Sequence, residues 1–139
     1  MNAIRFTPDE RLAPPADKID AAARMVREDG YVVLEDVVDP DHVAVLRDKM
    51  LADLPTILAR PDTPFNFNAI NVQQDPPPFP PYLFRDVWCN EVAIALSEQV
   101  LGTGVKSAFY SGNTALPGGQ RQPVHPDVAQ LWPDLPAAT

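Results

Sequence analysis

The chain of 139 residues has one cysteine, Cys89, so no disulfide can close within a single copy. A reducing compartment is the default for such a chain, and a cytoplasmic location is the expectation. Basic residues are scarce as well. Eleven Lys and Arg stand against 19 Asp and Glu, the formal net charge is −8, and no basic run occurs. Nucleic acid and anionic membrane surfaces call for clustered Lys and Arg, so neither is an expected partner. No apolar stretch reaches signal-peptide or bilayer-spanning length. Glycine-rich phosphate loops, a Ser-His-Asp order and zinc-type cysteine clusters are also missing.

Proline is plentiful, with 17 residues, and it divides the chain. Residues 1–16 read as an extended arm in which Pro8, Pro14 and Pro15 block any helix. Residues 17–139 read as a single domain. A helix is predicted over residues 18–29, capped by Asp17, with Ile19, Ala22, Ala23 and Val26 on one face and Gly30 as its stop. The β-branched run Tyr31 to Val38 predicts a strand. Asp39-Pro40 opens a second helix with a buried face of Val43, Leu46, Met50 and Leu54, and Pro55 is expected to end it.

Eight prolines fall between Pro55 and Pro81, so residues 55–85 are read as a long loop. Its aromatic residues suggest that it packs onto the domain. Asn90 caps a third predicted helix over residues 91–101, with Val92, Leu96 and Val100 aligned and Gly102 closing it. Val105 to Tyr110 reads as a strand, with Phe109 and Tyr110 alternating across it, and Pro117-Gly118-Gly119 reads as a turn.

The strongest chemical candidate is His125-Pro126-Asp127. Two positions apart on an extended backbone, an imidazole and a carboxylate face the same way and can reach one metal ion. With a second His they would form the facial triad of non-haem iron sites. A His-x-Asp triplet is common by chance, and a surface His beside a solvated Asp spells the same letters.

Its surroundings add weight. The stretch from Asp29 to Val43, with Gly30-Tyr31-Val32-Val33 followed by a helix running to Leu46-Arg47, resembles the opening of the phytanoyl-CoA dioxygenase family. Glu98-Gln99-Val100-Leu101-Gly102 is similar to that family's helix ending in Leu-Gly, and Val124-His125-Pro126-Asp127 stands where its iron motif should stand. The resemblance runs from about Ile19 to Trp132.

It implies an α+β or mainly β fold, the N-terminal portion of a double-stranded β-helix (a cupin-like jelly roll) with flanking helices. It also implies Fe(II), 2-oxoglutarate and O2 as reactants, oxidative decarboxylation to succinate and carbon dioxide, and hydroxylation of a small organic substrate. His125 and Asp127 would be iron ligands, and Asn113 a contact to 2-oxoglutarate. For Asn113 a simple turn in Ser111-Gly112-Asn113 is the competing reading.

The family pattern also asks for a distal His and, after it, an Arg that forks onto the far carboxylate of 2-oxoglutarate. The twelve residues after Asp127 contain no His, Arg or Lys. The expectation is therefore an N-terminal fragment of a longer enzyme. The alternative is a truncated, non-catalytic binding protein derived from a shortened jelly roll. The uncapped ending Leu135 to Thr139 favours truncation. His42, the other histidine, is expected on the polar side of its helix as a solvated residue.

Other residues have two readings each. Phe65-Asn66-Phe67-Asn68 and Gln73-Gln74 either line a substrate pocket or pin the loop to the surface. Arg121 and Gln122 face the cleft or solvent, Trp132 walls the pocket or packs on the core, with the core favoured, and Cys89 reads as a small buried hydrophobe rather than a nucleophile.

Overall fold

The computed structural model describes residues 2–118 and 121–125. The N-terminal residues are not an extended arm. Ala3–Arg5 forms strand β1, and Pro8–Leu12 forms a short helix, α1. Thr7 and Glu10 make a reciprocal capping box, with the Thr7 amide donating to Glu10 Oε2 at 2.8 Å. Pro8 sits at the first helical position, where the amide it lacks has no helical partner to lose.

Helix α2 spans Ala16–Asp29 and ends on Gly30, whose φ of 80° is the left-handed conformation glycine adopts freely. Its N-cap is Pro15 rather than Asp17, which lies in the first turn where its charge favours the helix dipole. Strand β2 is shorter than the β-branched run suggested, Val33–Glu35, because Asp36 takes a left-handed φ of 60° and breaks the ladder. It pairs in parallel with β1, in the register Ala3↔Val33, Ile4↔Leu34, Arg5↔Glu35.

Asp39 caps helix α3, Pro40–Leu58, by accepting from the Asp41 amide at 2.9 Å. Pro55 does not end this helix. It costs one amide near the C-terminus, and the chain continues helically to Leu58 while the Ala59 amide donates back to the Pro55 carbonyl. Of the face predicted to be buried only Leu46 is, and Val43 remains 51% exposed.

The proline-rich segment holds strand β3, Asn71–Gln73, in its proline-free stretch. Helix α4, Arg85–Trp88, and helix α5, Glu91–Leu101, follow, the latter capped by Asn90 and closed at Gly102. No strand forms over residues 105–110. The pairing goes instead to β4, Asn113–Ala115, antiparallel to β3 with Val72 opposite Thr114. Tyr110 packs edge-on against Trp88 while Phe109 is 81% exposed.

The described fold is thus mixed, with five helices against four three-residue strands in two small sheets. That is compatible with the α+β reading and departs from the mainly β one, and no closed jelly roll is present among the described residues. The core cluster of Phe6, Ile19 and Val92 is ringed by Ile4, Leu34, Val37 and Ala95. Helices α2 and α5 pack beside it, held at the rim by Arg27 donating to the Gln99 carbonyl and Gln99 donating to Asp20. Among the described residues no helix is long and apolar enough to cross a membrane.

Candidate functional site

The β3–β4 ladder sorts its side chains by alternation. Val72, fully buried, and Thr114 face toward α3. Gln74 continues that inner side: its Nε2 donates to the Met50 carbonyl at 2.7 Å, and its Oε1 accepts from the Thr114 hydroxyl at 2.8 Å. These bonds tie the sheet to α3 and account for a buried carboxamide.

Gln73 and Asn113, opposite each other in the register, occupy the other face. Asn66 approaches Asn113 there, Nδ2 to Oδ1 at 3.4 Å, and Gln73 Nε2 lies 3.4 Å from Ser111 Oγ. The Ser111 hydroxyl donates in turn to Asp75. Asn66, Gln73, Phe109, Ser111, Gly112 and Asn113 line a cleft of about 230 Å3. The carboxamides of Asn66, Gln73 and Asn113 are thereby brought onto one wall.

His125 stands beside this wall. Its ring lies 4.8 Å from that of Phe67, the neighbour of Asn66. Phe67 adopts a φ of 66°, a left-handed conformation uncommon for a bulky residue. His125 Nδ1 is 2.7 Å from the Pro123 carbonyl oxygen. A carbonyl only accepts, so in the neutral imidazole Nδ1 carries the proton and the lone pair sits on Nε2. Metal-bound histidines use the same division of labour, one nitrogen donating to a carbonyl and the other ligating. The described half of the donor set therefore fits an imidazole ligand.

Asp127 and Trp132 lie outside the described residues. Among the described residues no group of three His, Cys, Asp or Glu side chains could hold a metal ion. Arg121 and Gln122 are both exposed.

The profile of the phytanoyl-CoA dioxygenase family matches residues 26–138. The chain belongs to that family. The match takes in Asn113, His125 and Asp127 together, and begins inside α2, so β1 and α1 precede it. Members are dioxygenase-type enzymes that generally depend on Fe(II) and 2-oxoglutarate, and the family implies a cupin-like fold.

His42 departs from its expectation. It is half-buried, with Nδ1 2.8 Å from Asp86 Oδ1 and its ring stacked on Phe84 at 4.1 Å and 12°. Burial pushes the Asp86 carboxyl upward, but the Asp39 amide and the His42 ring outweigh it and hold the group below the usual carboxylate range. No spacing rule could have shown this pair, since its members are 44 residues apart.

Proposed function

We propose that the protein is an Fe(II)- and 2-oxoglutarate-dependent hydroxylase of a small organic substrate. His125 and Asp127 are two of its iron ligands, and Asn113 is a contact for 2-oxoglutarate. The observation that carries this reading is the position of His125, whose ring contacts Phe67 next to Asn66 of the carboxamide-lined cleft that contains Asn113. The reading also draws on family membership. The core is assigned to the family's jelly roll, of which β3 and β4 would be part.

When bound, the iron and 2-oxoglutarate supply the oxidising power that hydroxylates an unactivated carbon. The chain's own residues bind and orient. His125 and Asp127 fix the metal, the Pro123 carbonyl fixes the imidazole tautomer, and Asn113 with Asn66 and Gln73 offers donors and acceptors to the oxygens of the cosubstrate or substrate. His42 is committed to Asp86 and is not assigned to the metal. His125 and Asp127 are assigned as two of the family's protein donors to the metal.

The test is Co(II) binding followed by visible absorbance and calorimetry. The chain should bind Co(II) at least about tenfold more tightly than either His125→Ala or Asp127→Ala, the scale expected for loss of one ligand. Equal, weak binding by all three would overturn the assignment. It would favour the second reading, a non-catalytic binding protein. That reading draws on the open apolar side of α3, where Val43 and Leu51 are more than half exposed.

A further inference from the structure

A second cavity lies away from the β3–β4 cleft, between α1, the turn joining β2 to α3, and the α4–α5 corner. Its volume is about 290 Å3, close to the lower end for small-molecule sites. Pro8, Leu12, Val37 and Cys89 provide apolar wall, and Leu12 is 75% exposed at its edge. Polar groups come from Arg11, Asp39, His42, Arg85, Asp86, Asn90 and Glu91.

Most of these polar groups are already engaged. Asp39 caps α3, and Asp86 accepts from both the Asp39 amide and His42. Glu91 pairs with Arg85. Asn90 donates to the Val37 and Asp86 carbonyls and accepts from the Ala93 amide. What is left over is cationic or donor in character. Arg11 uses Nε on the Asp36 carbonyl, while its two terminal nitrogens have no partner among the described residues. His42 has Nδ1 on Asp86 and one face on Phe84, which leaves its Nε2 edge.

We propose that this cavity binds a small monocarboxylate with an apolar body. The carboxylate would fork onto the Arg11 terminal nitrogens within reach of His42 Nε2, and the body would cover Leu12, Val37 and Cys89. A polyanion is disfavoured, because the carboxylates of Asp39, Asp86 and Glu91 line the same cavity. A neutral ligand would leave the terminal nitrogens of Arg11 without a charged partner. The site is independent of the iron reading, since none of its residues belongs to the β3–β4 cleft.

The test uses the full chain, labelled with 15N, titrated with hexanoate and separately with hexanamide, its uncharged isostere. Hexanoate should give saturable amide shifts centred on Leu12, Val37, His42 and Cys89, with affinity at least about tenfold above that of hexanamide. Leu12→Asp, a change at an exposed position, should weaken hexanoate by a similar factor, about tenfold, through repulsion and loss of wall. Arg11→Gln should bring hexanoate down to the level of hexanamide. Arg11 also holds the left-handed Asp36, so Leu12→Asp provides a result that does not depend on that contact. Equal binding of the two probes, shifts centred elsewhere, or hexanoate binding indifferent to Leu12→Asp would each overturn the proposal.

Discussion

The helical layer and the β3–β4 lobe are built on different terms. In the first, Phe6, Ile19, Ala22, Ala23 and Val92 are buried between α2, α5 and the parallel strands, and burial of apolar area carries the stability. In the second, Val72 is the fully buried hydrophobe, and polar bonds through Gln74 do much of the joining. Phe65, Phe67 and Phe109 are all exposed there. The proposed site thus stands on the thinner part of the molecule, where hydrogen-bonding groups are open to a ligand and packing contributes less. Regions of this kind open locally at lower free energy than the core.

The contrast can be broken most forcefully at Phe6. Phe6→Ala should cost about 3–5 kcal/mol in urea unfolding, enough to dissolve the helical layer. Val72→Ala should cost about 2 kcal/mol and act locally. Hydrogen exchange at Gln73 and Thr114 should quicken while the α2 amides keep their protection. If both regions lost protection together, they would be one cooperative unit. Gln74→Leu keeps the volume but strands the Met50 carbonyl and the Thr114 hydroxyl, at a cost of about 1–2 kcal/mol read as a shift in unfolding midpoint.

Asp86 gives a smaller, pH-dependent effect. Its folded pKa is depressed, so its contribution is present above the ordinary carboxylate range and lost as pH falls through the lowered value. Acid unfolding of Asp86→Asn should therefore show a shallower slope in the window just below pH 4, with the difference at neutral pH about 1 kcal/mol. Smallest of all, Arg47→Ala should leave the midpoint unchanged within error, because its pairing with Asp48 is between two largely exposed side chains.

What could be read in advance divides along similar lines. Gly30, Asp39-Pro40, Asn90 and Gly102 act on their own neighbours, so α2, the start of α3 and both ends of α5 were legible from order alone. Thr7-Pro8-Asp9-Glu10 was equally local but was outweighed by the nearby prolines. Its capping box was the signal to follow. Strands β3 and β4 are three residues each and acquire their identity from one another across the intervening helices, so no window of sequence contains the reason for either. The candidate site followed suit. Asn66, Gln73 and Asn113 could be singled out as residue types, yet their sharing one wall depends on that register. The family resemblance was legible because its motifs are ordered along the chain, and the match over residues 26–138 bears it out.

The makeup of the core cluster bears on how the chain assembles. Phe6, Ile19 and Val92 meet at one point, though two lie near the start of the sequence and the third in α5. Bringing such distant positions together carries a loop-closure entropy that local helix formation does not repay. During synthesis β1, α1 and α2 emerge before α5, and their apolar face is covered only once residues 91–101 follow. The helical layer thus combines the larger share of buried apolar area with contacts that are distant in sequence, so its closure is tied to the arrival of α5.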